Sequence, residues 1–258
     1  MRIRHARQNN LIHPQYKTNE VYIYLLCYNE ESIISQTIEH YKRCFPSAVI
    51  IIYDNNSTDH SVEIAKSYGC QIETFESKDT QNVFILTKLK NECWKKIHQH
   101  GWVIVADMDE WLYVTQTDLD EMEKMNITMV KTQGYQMIGE SVKDDLTDIQ
   151  LASITKCVPH DNLSKYVCFY RSKIKEINYE PGAHRCNPVG IINYSKKVYP
   201  LKHYKYLGLP YLLRRIPLQY QRTLHIRQLY NNKFSNHYTD STIIITEKYN
   251  KLLSSVLL

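Results

Sequence analysis

The chain has 258 residues, 43% of them hydrophobic and 23% charged, with a formal net charge of +5. That balance excludes a disordered or fibrous chain and suffices for one domain with a substantial core. Lys and Arg are nowhere dense enough for a nucleic-acid track, so the modest positive charge suits a phosphate-bearing ligand or a polyanionic surface.

Seven cysteines without a CxxC pair read as reduced thiols rather than a disulfide framework or a zinc site. The first twenty residues form a basic amino-terminal extension with no apolar core of signal-peptide length. No window reaches the ~20 apolar residues of a membrane span. The expectation is a soluble, cytoplasmic protein, or one attached peripherally to a membrane.

Val21 to Tyr28 is a continuous run of β-branched, aliphatic and aromatic residues, the pattern of a strand buried on both faces. After Asn29-Glu30-Glu31-Ser32 a helix is predicted through Ile33, Ile34, Ile38 and Tyr41, ending before Pro46. Ala48 to Tyr53 predicts a second buried strand. It runs into the polar turn Asp54-Asn55-Asn56-Ser57-Thr58-Asp59 and a helix from Ser61 to Tyr68. Gln71 to Phe75 predicts a third strand, Val83 to His100 a helix, and Trp102 to Ala106 a fourth strand leading straight into Asp107. Alternating units of this kind imply an α/β fold with a mostly parallel sheet and helices on both faces. Ligands of such sheets bind at the carboxyl ends of the strands, and three of these four strands end in acid- and amide-rich clusters.

Past Asp120 the pattern is less regular. Strands are predicted over Thr128–Ile138, Tyr166–Tyr170 and Lys197–Tyr204, a basic helix broken near Pro217 over Leu212–Tyr230, and a terminal helix over Thr246–Leu258. The expected organisation is an extension (1–20), a main domain (21–210) with a nucleotide-binding half (21–115) and an acceptor half (116–210), and a helical extension (211–258).

Asp107 and Asp109 stand two residues apart at a strand end, where both can face one divalent cation that bridges to phosphates. A cation there would neutralise a departing diphosphate. Asp54 and its neighbours can accept from a base or ribose, while Ser57 or Thr58 can cap the next helix. An acidic turn or a capped βα turn is the plainer reading of each motif taken alone.

Taken together, a strand ending in Asn29-Glu30, a strand ending in DNNSTDHS, Lys88-x-x-Asn91 in a helix and a strand ending in DMDEW resemble the family 2 glycosyltransferases of GT-A fold. The resemblance is to the compact D-x-D-E-(F/W) subgroup found in bacteria and large DNA viruses. It covers residues 20–115, and 160–205 more loosely. It implies an inverting hexosyl- or deoxyhexosyltransferase that uses a nucleotide-diphosphate sugar, UDP by preference, a glycan or other hydroxyl acceptor, and Mn²⁺ or Mg²⁺. The donor site it implies includes Tyr28, Asn29, Glu30, Asp54, Lys88, Asn91, Asp107, Met108, Asp109 and Lys165. Asp107 and Asp109 would take the metal, with His203 in Leu201-Lys202-His203-Tyr204 as third ligand and His184 the next choice. Lys165 and Arg171, flanking the run YVCFY, resemble the family's Lys-x-(I/V)-x-(x)-R element and read either as phosphate or acceptor contacts or as charges that solvate the strand ends.

The family's distal Glu-Asp pair and its Q-x-x-R-W motif are absent from this sequence. Glu140, Asp161, Glu180 and His184 therefore remain open as the base that accepts the acceptor's proton. The stripe of Arg214, Arg215, Arg222 and Arg227 reads as the solvated side of a helix, or as a contact for an anionic membrane face or a polyanionic acceptor. Two other classes stay open: a metal-dependent phosphoesterase or nucleotidyltransferase using the same carboxylates, and an inactive carbohydrate-binding relative.

Overall fold

The structure, a computed structural model, describes residues 20–77, 82–96, 100–230 and 242–256, without the side chains of 220 and 223–230. The expected extension 1–20 thus lies outside the described residues, apart from Glu20.

The first half alternates strand and helix: β1 (Val21–Cys27), α1 (Ile34–Cys44), β2 (Val49–Asp54), α2 (Ser61–Ser67), β3 (Gln71–Thr74), α3 (Val83–Glu92) and β4 (Trp102–Asp107). Then follow β5 (Glu110–Leu112), α4 (Gln116–Lys124), β6 (Met129–Ile138), β7 (Cys157–Pro159), β8 (Cys168–Tyr170), β9 (Ile174–Glu176), β10 (Val189–Gly190) and β11 (Tyr194–Tyr206). Two helices close the chain, α5 (Leu209–Tyr230) and α6 (Thr242–Ser254).

The main sheet runs β3-β2-β1-β4-β8-β6-β11-β5, with β7 on β6. The β3-β2-β1-β4 block is parallel throughout, and β6 pairs parallel with β11, while β8, β5 and β7 pair antiparallel. Strands buried on both faces need apolar residues in both orientations, and every residue of β1 is buried. Ile23, Leu25, Ile50 and Ile52 face α1 through Ile34, Ile38 and Tyr41. Tyr22, Tyr24, Ile51, Val103 and Val105 face the other way, onto Trp94 and Phe169. Helices on both faces are thus present.

Several boundaries differ from expectation. The helix expected to reach His100 ends at Glu92 and tightens into a 3₁₀ turn at Cys93–Lys95. Trp94 is thereby driven into the core, where its ring meets Phe169 edge-on at 5.0 Å. The helix α4 was not expected. Its start is a capping box, in which the Thr115 side chain takes the Asp118 N–H and Asp118 returns the bond. The strand expected over Lys197–Tyr204 extends to Tyr194–Tyr206, and α5 runs through Pro217 as one helix. The last helix starts four residues before Thr246.

Candidate active site

Parallel register brings the acidic strand ends together. Cys27 pairs with Asp54 across β1 and β2, and Leu26 with Asp107 across β1 and β4. The turns beyond them use Asn29 and Asn56 at φ 52° and 56°. This left-handed conformation is one that asparagine tolerates better than most side chains. Asn29 ties the turns to each other: its N–H donates to Ser57 Oγ at 2.9 Å and its side-chain oxygen accepts from Thr58 N–H at 2.7 Å. The Asp54 carboxylate accepts from the Ser57 N–H at 3.2 Å. It is turned toward its own loop, and Asn55, not Asp54, lines the cleft.

That cleft has a volume of about 660 Å³ and lies over the ends of β1 and β4, within the ordinary size of a small-ligand site. Asp107, Met108 and Asp109 form part of its floor. Glu110 begins β5 and is buried; its Oε2 accepts from the Asp107 N–H at 3.0 Å, so it shapes the acidic turn from beneath. Trp111 fixes the turn's far side. Its ring stacks on His40 at 4.6 Å and its N–H donates to Thr37 Oγ1 at 2.9 Å.

Two buried lysines hold Asp107. Lys90 Nζ lies 2.7 Å from one oxygen and Lys165 Nζ 3.6 Å from the other, while Lys165 also reaches Glu110 at 2.5 Å. Burial alone would raise the Asp107 pKa, but the two lysines overcome it and hold the carboxyl well below its usual range. Burial alone would lower Lys165, and its carboxylate neighbours overcome that, raising it above the ordinary lysine value.

Lys90 corrects the expectation for α3. Lys88 is exposed, and Asn91 clamps the backbone of Tyr179 through bonds of 2.7 and 3.2 Å, so neither lines the cleft. Val83, Leu86, Thr87 and Lys90 do. Their spacing of three, four and seven residues is one helical face, so the signal was present in the sequence.

His203 arrives on β11, paired opposite Glu110 of β5. Its Nε2 is 3.4 Å from Asp109 Oδ2 and its Nδ1 3.2 Å from Gln136 Oε1. Asp109 and His203, coupled in sequence only by expectation, therefore meet. No group of three or more His, Cys, Asp and Glu side chains is gathered for a metal among the described residues.

The four expected base candidates separate. Glu140 is exposed and paired with Lys156 at the end of β6. Asp161 and Glu180 are exposed loop residues, and none of these three lines the cleft. His184 does. Arg171 lies over the Trp94 ring at 4.6 Å, away from the cleft, so it serves packing rather than the phosphate contact considered for it.

The arginine stripe of α5 also departs from expectation. Arg215, Gln219 and Arg222 line the cleft instead of a solvated or membrane-facing surface. Arg215 makes a two-pronged ion pair with both oxygens of buried Glu30, and Arg222 lies 3.2 Å from the centre of the Tyr28 ring. Burial pushes the Glu30 carboxyl up to about 7 against the pull of Arg215. Arg214 stays exposed and pairs with Asp144 at 3.5 Å; the side chain of Arg227 is outside the described residues.

An open α/β sheet whose neighbouring strands end in Asn29, Asp54 and an Asp-x-Asp turn under a nucleotide-sized cleft is the layout of the GT-A class of fold. The family model of glycosyl transferase family 2 matches residues 22–119, which contain those strand ends. RfbJ of Shigella flexneri is 32% identical over 68 residues, which is 26% of this chain and 53% of that protein. The chain thus spans about half the length of the curated relative it matches. Among solved structures, TarS of S. aureus is similar over 92% of this chain and 44% of its own, at 13% identity and a TM-score of 0.47. A second structure, TarS 1–349 with UDP-GlcNAc, gives 14% identity over 92% of this chain and 73% of its own, with a TM-score of 0.44. Likenesses at this level carry no part of the functional argument. All seven cysteines are free thiols, and no helix among the described residues is long and apolar enough to cross a membrane.

Proposed function

We propose that this chain is a glycosyltransferase that moves a sugar, with inversion, from a nucleotide-diphosphate sugar to a hydroxyl on a glycan or similar acceptor. The observation that carries this reading is the convergence at the cleft floor of Asp107, Asp109, Lys90, Lys165 and His203. Leaving-group charge has to be met where the diphosphate departs, and fixed cations and oriented donors in a largely water-excluded cleft do this without reorganising.

In this reading Tyr28 and Asn55 face the base and Asp107 the ribose, while Lys90 and Lys165 set the field around the diphosphate. UDP is the nucleotide assigned, on the family resemblance. Asp109 and His203 fit a divalent cation: a carboxylate oxygen and an imidazole nitrogen 3.4 Å apart are donors that Mn²⁺ accepts. Asp107 is committed to its lysines and fits better beside such a cation than directly on it. A bound cation would add charge neutralisation at the departing diphosphate.

The test is thermal unfolding with UDP, with and without Mn²⁺, on the wild type and on Asp109→Ala. The wild type should gain ~2.7 kcal/mol at a hundredfold excess of nucleotide over Kd. Asp109→Ala should lose the metal-dependent part of that gain and cut UDP-sugar hydrolysis by at least ~100-fold. A wild type that responds to no nucleoside diphosphate would sink the reading. Release of UMP and sugar 1-phosphate instead of UDP and free sugar would mark a phosphoesterase.

A further inference from the structure

Inverting transfer needs a group that takes the acceptor hydroxyl's proton, and the carboxylates of the floor are already engaged by lysines, His203 or the backbone. His184 is placed differently. Its Nδ1 lies 2.6 Å from the carbonyl oxygen of Asn162. A carbonyl can only accept, so Nδ1 carries the proton, and in the neutral ring Nε2 then keeps its lone pair. Nε2 has no hydrogen-bond partner among the described residues, and the ring lines the cleft together with Lys165 and His203.

Two close approaches build this arrangement. A side chain at Gly134 would meet the backbone of Leu163 at 2.3 Å, so only glycine lets the 3₁₀ turn Asp161–Leu163, with the Asn162 carbonyl, lie against β6. The His160 N–H donates to the Gly134 carbonyl at 2.9 Å and the Gly134 N–H to Ser164 Oγ at 2.9 Å, fastening both ends of the turn. Gly182, at φ +87°, lies beneath the imidazole; a Cβ there would come within 2.9 Å of the ring. Burial first, and Lys165 second, lower the His184 pKa, against the opposing pull of the Asn162 carbonyl, Glu110 and Asp107. The ring is therefore neutral at pH 7, the form a base requires.

We propose that His184 is the general base of the transfer, an assignment that rests on the transferase reading above. The acceptor oxygen bonds to the anomeric carbon as the bond from that carbon to the diphosphate oxygen breaks. The electron pair leaves on the nucleoside diphosphate, and the hydroxyl proton passes to His184 Nε2 and then to water. One nucleotide sugar and one alcohol give one glycoside, one nucleoside diphosphate and one proton.

The acceptor is replaced in the test by water, using hydrolysis of UDP-glucose, UDP-galactose and UDP-N-acetylglucosamine by the full chain. His184→Asn keeps a donor for the Asn162 carbonyl and His184→Gln is the second variant. Both should bind UDP within twofold of the wild type, while kcat falls on the order of 10²–10⁴-fold and KM changes little. The wild-type rate should fall as pH drops through the His184 pKa, below the ordinary histidine value of about 6.5, and that acid limb should vanish in both variants. Azide arrives without a proton to lose, so it should restore UDP release in the variants. Hydrolysis within threefold of the wild type, or a rate loss that azide does not restore, would overturn the assignment. A wild type that neither binds UDP nor releases it from any donor would overturn the transferase reading itself, and the base with it.

Discussion

The two halves of the molecule supply different chemistry to one cleft, and by different routes. The β1–β4 block supplies Asn55, Asp107 and Asp109 from the ends of adjacent parallel strands, where register sets Cys27 beside Asp54 and Leu26 beside Asp107, and Lys90 from α3. The part after Asp120 supplies cations and imidazoles from separate places: Lys165 before β8, His184 in a loop, His203 on β11, Arg215 and Arg222 on α5. A repeating βα unit can aim several residues at one edge by local rules. The other countercharges are carried there by long-range pairing, and three of these groups are tied to an acid of the first half: Lys165 to Asp107 and Glu110, His203 to Asp109, Arg215 to Glu30.

The largest test of this contrast removes an imported charge. Lys165→Met would leave Glu110, 1% exposed, and one side of Asp107 without their cation. Stripping one partner from a buried ion pair costs ~3–5 kcal/mol, to be read by denaturant titration. A loss below ~1 kcal/mol, the range of exposed pairs, would mean that the two halves are not joined through this pair. Arg215→Met should cost less, about 2–3 kcal/mol for the charged hydrogen bonds to Glu30, because Arg215 remains 17% exposed. It should also weaken UDP binding, because α5 walls the cleft that UDP would fill. Stability lost with UDP affinity unchanged would show that α5 is fastened to the β1–β4 block without shaping the site.

The same contrast governs what could be read from the sequence. Buried strands announce themselves by continuous apolar runs, and a parallel α/β order fixes which ends coincide, so the floor carboxylates were legible from Val21 to Asp109. His203 was found only through a resemblance, because nothing local says that β11 lies antiparallel to the three residues of β5. The Lys88-x-x-Asn91 motif points to Lys88, whereas the helical face of Val83, Leu86 and Thr87 points to Lys90. The place of the α5 arginines stays open in the sequence because an amphipathic stripe does not reveal whether its polar side meets water, a membrane, an acceptor or a buried Glu30. The four candidate bases could not be separated without knowing that Gly134 lets Asn162 reach His184. Domain boundaries at 115 and 210 remain a proposal; the sheet itself runs across the first of them through β4 and β8.

The measurement that bears most directly on the nucleotide cleft is calorimetric titration of UDP into the wild type, Lys90→Ala and Lys88→Ala. Lys90 sits on the cleft face of α3 beside Asp107, and Lys88 is exposed and does not line the cleft. The wild type should bind UDP. Lys90→Ala should lose about 1.5–3 kcal/mol of affinity, the worth of a charge-assisted contact, which is roughly a 10- to 150-fold rise in Kd. Lys88→Ala should stay within twofold. A wild type that does not bind UDP, or variants in which Lys88 matters and Lys90 does not, would contradict the placement of the donor against Asp107 and its lysines.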